Sequence, residues 1–232
     1  MHGEAQVSEL ITPRGNTLFA DDFTGDLSNW RHEGTGVVEL SERDGAPVMR
    51  LDCTGSRQGG AGTHAFCLHD FPDGIAVEYT LFVEKSNGLV ITFVAMKGVD
   101  GEDMFADSLP ARTGVFKDYT GDDAALRSYH VSVSRYNDKG EHTGTSNWRR
   151  NPGLHLVGAG PDLCETIGRP YEIRIVKDGV HMRLGVNGKL AHEFVDPEEL
   201  PGPVPDAGKV GFRAIGSEVV AEIGDFRVTL LR

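Results

Sequence analysis

Short runs of apolar or alternating residues recur along this chain, and turn residues separate them at intervals of about eight to twelve positions, which is typical of a β-sandwich or barrel. No stretch of helical length carries a sustained apolar stripe with a helical period. The pattern therefore predicts an all-β protein. The predicted strands are 17–21, 37–40, 48–53, 64–69, 75–83, 89–96, 129–136, 143–149, 154–157, 171–176, 181–186, 190–194, 209–214 and 219–231.

Two dipeptides predict tight hairpins. Asp178-Gly179 and Asn187-Gly188 each lie between two predicted strands, and such pairs supply the positive φ angles that hairpin turns need. The segments 75–83 and 89–96 are apolar on nearly both faces, so we expect them in the middle of a sheet.

The segment 129–136 carries valines on one face and hydrogen-bonding side chains on the other, because side chains alternate along a strand. One face should pack in a core, and the other belongs to solvent or to the floor of a ligand groove. The whole stretch 129–157 is rich in aromatic, amide, basic and imidazole side chains. Aromatic faces suit sugar rings, Asn and Arg donate to hydroxyls and carboxylates, and His and Tyr can move protons. This concentration favours a ligand or active site.

The length of 232 residues suits one large sandwich, which we expect over 17–232 after a polar lead-in at 1–16. The 30 glycines and 11 prolines are spread out rather than gathered into a linker. A formal net charge of −12 disfavours nucleic acids and anionic membranes as partners. An acidic polysaccharide would need a local basic pocket. Oligomeric state stays open.

Three cysteines, Cys53, Cys67 and Cys164, argue by their odd number and spacing against a disulfide framework or zinc site. A bridge between Cys53 and Cys67 is left open, since both lie in neighbouring predicted strands. No signal peptide or membrane span is evident, which predicts a cytoplasmic protein unless a leader has been removed.

The segment 98–123 is long, polar and poor in strands, and a loop of this length in a compact domain is usually functional. We take Glu102 and Arg112 from it as candidate substrate-binding residues. A solvated excursion is the alternative.

Several motifs resemble the DUF1961 family. The central ones are Tyr129-His130-x-Ser132 with Arg135, and Asn147-x-Arg149-Arg150-Asn151-x-Gly153-x-His155-Leu156-Val157; Gly101-Glu102-Asp103-Met104-Phe105 lies upstream. The likeness runs from Leu18-Phe19 to Gly224-Asp225-Phe226-Arg227-Val228. It implies a concanavalin A-like jelly-roll β-sandwich of two antiparallel sheets. It also implies a carbohydrate ligand, since one member of this bacterial family lies among functions for pectin utilisation.

The first functional hypothesis is cleavage of a uronate-containing glycan by β-elimination in a groove of a concave sheet. The reaction needs a cation beside the uronate carboxylate, a base, and an acid for the leaving oxygen. Arg149 or Arg135 could neutralise, His130 or His155 could be the base, and Tyr129 or Tyr136 the acid. Further candidate substrate-binding residues are Asn147, Trp148, Arg150 and Asn151.

Two other functions stay open. A glycoside hydrolase needs two carboxylates on one face, but no alternating acidic motif is present, and Glu102 and Asp103 are adjacent. A non-catalytic sugar-binding module would use the same aromatic and amide groups without an acid or base.

No cofactor is required by these hypotheses. A structural Ca²⁺ could be held by Asp22 and Asp225 if the terminal strands pair, because calcium prefers carboxylate oxygens. Capping of turn amides by these aspartates is the favoured interpretation.

Overall fold

The structure, a computed structural model, describes residues 12–55, 62–197 and 199–232, and these form thirteen β-strands and one short α-helix. The prediction of an all-β fold is confirmed. Residues 1–11 of the expected lead-in lie outside the described residues. The strands are β1 Thr17–Asp21, β2 Trp30–Gly34, β3 Val37–Arg43, β4 Ala46–Asp52, β5 Thr63–Cys67, β6 Ile75–Gly98, β7 Leu126–Val133, β8 Thr145–Asn151, β9 His155–Pro161, β10 Pro170–Asp178, β11 His181–Val186, β12 Lys189–Val195 and β13 Lys209–Leu230, and the helix is α1 Lys117–Thr120.

The strands form two antiparallel sheets that share their two longest members. The back sheet has the order β12-β11-β10-β6-β13-β4-β3, with β1 paired to the last part of β13. The front sheet has the order β2-β5-β13-β6-β7-β8-β9. The first half of β6 and the second half of β13 belong to the back sheet, and their other halves belong to the front sheet. The predicted sandwich of two antiparallel sheets is thus confirmed.

The two long strands correct one detail of the prediction. Residues 75–83 and 89–96 were expected to be separate strands, but they form one strand of 24 residues, and 209–214 and 219–231 likewise join in β13. At the crossing between the sheets, a Cβ on Gly88 would lie 2.0 Å from the carbonyl oxygen of Ile215. Glycine is needed there because the two backbones approach so closely. The residues between the two predicted segments of each strand therefore lie where the strand passes from one sheet to the other, and they form no loop.

The main core lies between the sheets. Val77 of β6 and Ile175 of β10 come from the back sheet, and Val131 and Trp148 come from the front sheet. Both predicted hairpins are also present: β10 and β11 turn at 179–180, directly after Asp178, and β11 and β12 turn at 187–188, with φ angles of 50° at Asn187 and 72° at Gly188.

No disulfide joins Cys53 to Cys67, although both side chains are buried. Burial raises the pKa of the Cys67 thiol to about 12. The cysteines therefore act as small apolar core residues.

Candidate functional site

We call the outer surface of the front sheet the front face; it is apolar over β5 and β6 and polar along β7 and β8. Alternation along β7 sends Val131 and Val133 into the core and places His130 and Ser132 on the front face. His130 is paired across the sheet with Arg149 of β8, and Ser132 is paired in the same way with Asn147. The polar row predicted from the alternation of 129–136 thus continues onto β8.

Two half-buried arginines lie beside this row. Arg149 donates through Nη1 to a main-chain carbonyl in the turn before β9. Arg135 donates through Nη1 to the carbonyl of Thr145 at 2.8 Å, and to the side-chain oxygen of Asn147 at 3.1 Å once that amide is oriented to satisfy its neighbours. Burial lowers the pKa of Arg135, the nearby Asp162 carboxylate partly offsets this, and the charge of Arg149 adds to the lowering. Neither guanidinium has a carboxylate within ion-pair distance among the described residues.

His130 is a neutral hydrogen-bond donor in this arrangement. Asn151 donates through Nδ2 to His130 Nδ1 and to Ser128 Oγ, both at 2.9 Å. Because Nδ1 accepts, the ring proton of the neutral imidazole lies on Nε2. Burial lowers the pKa of His130 to about 3, and the charges of Arg149 and Arg213 add to the effect. A base with this pKa is weak at neutral pH, in contrast to the role expected from the sequence.

Three of the candidate residues face the core instead of the front face. Tyr129, Trp148 and Arg150 are buried between the sheets, with exposed fractions of 0%, 0% and 1%. Tyr129 donates its phenolic proton to Asp196, and Arg150 Nη1 contacts the same carboxylate at 3.1 Å. Burial and the neighbouring carboxylate raise the pKa of Tyr129. This ion pair is an internal structural element, and these side chains cannot reach a ligand on the front face.

Tyr136 lies in the hairpin between β7 and β8. Its hydroxyl donates to the carbonyl of Glu165 at 2.7 Å, and its ring packs edge-on against His142 with centroids 5.1 Å apart. His142 Nε2 lies 3.0 Å from Asp162 Oδ2, and the same carboxylate oxygen accepts from the backbone N–H of Arg135 at 2.9 Å. Tyr136 is thereby tied to the β9–β10 connection, and Asp162 fixes the backbone that carries Arg135.

His155 belongs to a different recess. A cavity of about 420 Å³ is lined by His155, Arg127, Pro152 and the segment 201–203. It opens beside the β8–β9 turn and the β12–β13 connection.

The structure therefore brings only part of the predicted site together. His130 and Arg149 are neighbours on the front face, together with Arg135, Asn147 and the buried amide of Asn151. Tyr136 and His155 are placed elsewhere.

The segment 99–125 packs on the front face over β5, β13, β6 and part of β7, and the backbone N–H of Gly153 in the β8–β9 turn donates to its Thr120 carbonyl at 2.9 Å. Its Phe116 lies edge-on to His130 with ring centroids 5.8 Å apart, and the Arg213 guanidinium carbon is 4.2 Å from the Phe116 centroid. Tyr119 stacks on His64 at 4.3 Å. We call this segment the wall.

Arg112 holds the wall to the sheet. Its Nε and Nη2 donate to the carboxylate of Glu33 on β2 at 2.9 and 2.6 Å, and the Tyr119 hydroxyl donates to the same carboxylate at 2.7 Å. Burial and the Glu33 charge raise the pKa of Tyr119. Arg112 also lines a recess of about 530 Å³ with Arg31 and His32. Its guanidinium is nevertheless occupied by an internal carboxylate.

Glu102 lies at the start of the wall, folded against the end of β6. A Cβ on Gly98 would lie 2.1 Å from Glu102 Oε2, and that oxygen is buried without a partner among the described residues. Glu102 therefore lies beside Gly98, the last residue of β6, and the structure shows no contact between it and Arg135 or Arg149.

His64 and Arg213 are front-face residues that sequence reasoning missed. They are paired across β5 and β13, and both side chains are fully buried. Burial lowers the pKa of Arg213 to about 9, and burial together with the Arg213 charge lowers that of His64. Alternation along Thr63–Cys67 could have placed His64 opposite the core-facing Ala65. The other residues of β5 are mostly apolar, so the sequence pattern gave no sign that His64 belongs to a polar site.

Carboxylates are scarce on the front sheet. Its strand residues, which are β2, β5, β7, β8, β9 and the front halves of β6 and β13, include one acidic residue, Glu33. That carboxylate is bound to Arg112 and Tyr119. A retaining or inverting hydrolase needs two carboxyl groups that face the same sugar. The described front-sheet strands do not supply such a pair.

The terminal strands pair as expected, and Asp21 lies opposite Phe226, which brings Asp22 and Asp225 to neighbouring positions. Asp22 Oδ1 accepts from the backbone N–H and the hydroxyl of Thr24 at 3.1 and 2.7 Å, and these bonds lower its pKa. Among the described residues, no group of three or more His, Cys, Asp or Glu side chains is arranged to hold a metal ion. Asp22 therefore caps a turn.

Within the described ranges, no helix is both long and apolar enough to span a membrane.

Three comparisons define the relatives of the chain. The sequence model of the family described as "Domain of unknown function (DUF1961)" matches residues 16–228. The uncharacterized protein YesU of Bacillus subtilis (strain 168) is 31% identical over 207 residues, which are 88% of this chain and 90% of that protein.

Solved structures show the same fold. A protein of unknown function with a galectin-like fold from Bacillus subtilis superposes with a TM-score of 0.79 and 28% identity, covering 96% of this chain and 98% of that one. SCLam, a non-specific endo-β-1,3(4)-glucanase from family GH16, shares the fold with a TM-score of 0.59, 13% identity and coverage of 97% and 95%. The carbohydrate-binding module CBM66 from Bacillus subtilis shares the fold with a TM-score of 0.52 and 12% identity, covering 87% of this chain and 95% of that one. With its galectin-like jelly-roll fold, this chain belongs to the DUF1961 family.

Proposed function

We propose that this protein binds an acidic oligosaccharide on its front face, with a uronate carboxylate on Arg135 and Arg149. One observation carries the proposal: two neighbouring, half-buried guanidiniums contact neutral oxygens, on a sheet whose one strand carboxylate is already bound. The chain as a whole has a net charge of −12 and repels anions. Cations concentrated at one place give an anionic group a local site, and guanidinium groups match carboxylate geometry.

The saccharide part of the proposal rests on the polar groups next to the arginines. Ser132, Asn147 and the Nε2–H of His130 can exchange hydrogen bonds with sugar hydroxyls. Distant structural neighbours are named as a carbohydrate-binding module, a carbohydrate recognition domain and a glucanase. These names describe those proteins, and they support a sugar as the first ligand class to test here.

The test is calorimetric titration of the full chain with trisaccharides of galacturonate, glucuronate and mannuronate, each beside its carboxyl-reduced, neutral counterpart. We expect at least one acidic trisaccharide to bind and its neutral counterpart to bind at least tenfold more weakly, because charge-assisted hydrogen bonds contribute about 1.5–3 kcal/mol. Equal binding of acidic and neutral sugars, or no binding by any of the three, would refute the proposal.

Cleavage by β-elimination is the second candidate function, favoured by the same arginine pair, which could offset the charge that builds up on the uronate. The weak point is the base, because His130 carries its proton on Nε2 and its pKa is about 3. Incubation of each trisaccharide with the protein, followed by absorbance of an unsaturated product, separates the candidates. Product formation at a rate above the buffer control would favour a lyase, whereas binding without product favours the sugar-binding protein.

A further inference from the structure

We infer, on the basis of the proposed function, that the front face receives the end of an acidic saccharide chain and excludes the interior of a long polymer. The wall closes one end of the front face, so the open part extends from the arginines toward the outer strand β9. A chain that lay across the whole sheet would have to pass through the wall.

The blocked part of the front face is filled by packed side chains. His64 and Phe66 of β5, Phe93 of β6 and Arg213 of β13 all have exposed fractions of 0%. Phe66 packs against Tyr119 with ring centroids 5.6 Å apart, and Met104 joins the same apolar cluster. No sugar ring can lie on these strands while the wall is in place.

Several independent contacts fix the wall. Arg112 donates two hydrogen bonds to Glu33, and Asp103 forms an ion pair with Lys209 of β13 at 2.8 Å. Gly114 lies against the backbone of β2, where a Cβ would come within 2.3 Å of Gly34 Cα. Charged, apolar and backbone contacts together indicate a fixed boundary rather than a lid.

The opposite side of the face is open. Asn147 and Arg149 of β8 are partly exposed, and Ala159 and Leu156 of β9 are exposed, the latter to 56%. β9 pairs with β8 on one side and, among the described strands, with none on the other. A chain end that enters over β9 reaches Arg149 before it meets Phe116 and the wall.

The experiment compares long polygalacturonate, polyglucuronate and polymannuronate with the same polymers cut several-fold shorter, at equal uronate mass. If the protein binds chain ends, the number of protein molecules bound per gram of polymer rises in proportion to the number of ends. Interior binding predicts a capacity that does not change on cutting and would overturn the inference. Absence of binding to every polymer and trisaccharide would instead refute the proposed function.

Hydrogen exchange of the wall supplies a second readout on the same protein. A fixed wall predicts that backbone amides of 99–125 exchange at the same rate with and without a bound uronate trisaccharide. A large gain in protection across 99–125 on binding would show that the segment closes over the ligand, and it would overturn the inference of a fixed boundary.

Discussion

Arg135 and Arg149 differ from most other arginines of this protein in what their guanidiniums contact. Arg43, Arg50 and Arg174 all pair with carboxylates on the back sheet. The guanidiniums of the two front-face arginines contact carbonyl and amide oxygens and form no ion pair among the described residues, although the Asp162 carboxylate, which accepts from the Arg135 backbone N–H, acts on Arg135 through its charge. We therefore expect substitution of a front-face arginine to affect ligand binding, and substitution of a back-sheet arginine to leave binding unchanged.

We expect Arg149→Gln to weaken binding of the acidic trisaccharide about 10- to 100-fold, because it removes charge-assisted hydrogen bonds while leaving a side chain that can still donate. Calorimetry measures the change. Arg227→Gln, at an exposed position of the back sheet, is the matched control and should leave binding unchanged. Equal losses in the two variants would point to a general charge effect and against a site at Arg149.

His130 makes a prediction about pH. Its pKa in the folded protein, about 3, lies below the ordinary value near 6.5, so the unfolded chain binds more protons between these values. The stabilising contribution is therefore complete above pH 6.5 and is lost as the pH falls toward 3. At pH 5 the loss for this one group is about 2 kcal/mol.

The matching measurement is denaturant unfolding at pH 7 and pH 5. We expect His130→Gln to lose about 2 kcal/mol less of its unfolding free energy between these pH values than the native chain does. His181→Gln, at an exposed position, should follow the native chain. A variant at His130 with the native pH dependence would show that this imidazole does not titrate as the structure implies.

Among the elements, the wall depends on Glu33. Its carboxylate receives three hydrogen bonds, two from Arg112 and one from Tyr119, and its side chain is 12% exposed. We expect Glu33→Gln to lower the free energy of unfolding by about 1–3 kcal/mol and to speed hydrogen exchange across 99–125, because an amide cannot accept all three bonds and leaves the Arg112 charge unpaired. Glu42→Gln, at an exposed site, is the control. Unchanged exchange in Glu33→Gln would mean that apolar packing alone holds the wall.

The crossing of the two long strands depends on Gly88. We expect Gly88→Ala to lower the free energy of unfolding by about 3 kcal/mol, since the new methyl group would meet the Ile215 carbonyl at 2.0 Å and force the strands apart. Gly25→Ala is the matched control, because a Cβ there has no heavy atom within 4 Å and the backbone is not left-handed. Thermal or denaturant unfolding distinguishes them, and a neutral Gly88→Ala would show that the strands can separate there without cost.

At the scale of the whole molecule, charge is divided between the two sheets. The front-sheet strands hold several arginines and lysines and the one carboxylate of Glu33. The back sheet carries paired charges of both signs, such as Arg43 with Glu222 and Arg174 with Glu78. Most front-sheet cations are also paired, but with carboxylates outside its strands, such as Lys209 with Asp103 and Arg127 with Asp206. Arg135 and Arg149 form no such pair among the described residues, which gives this acidic protein a local place for an anion.

The fold could be predicted because alternation and turn residues are local signals, and they define strands wherever one face is buried. The orientation of Tyr129 was also available from alternation, since it shares its parity with the core-facing Val131 and Val133. The orientation of Tyr136 could not be predicted in this way, because Ser134 adopts a φ of 50°, which ends the alternation after β7. Alternation therefore predicts which face of its sheet a side chain occupies, but not which residues of other strands lie beside it.

The parts that could not be predicted depend on contacts between distant segments. His155 belongs to its recess because 201–203 pack beside it, nearly fifty positions later in the sequence. Arg112 is occupied because β2 brings Glu33 to it from 79 positions away. No spacing within one motif carries information of this kind.

The measurement that tests the central claim most directly is a cycle of four titrations. Native protein and Arg149→Gln are each titrated with the acidic trisaccharide that binds and with its carboxyl-reduced form. If the carboxylate lies on the arginine pair, reducing it weakens binding to the native protein at least tenfold and changes binding to the variant little, because the partner is already gone. If reduction weakens binding equally in both proteins, the carboxylate is recognised elsewhere, and the front-face account is contradicted.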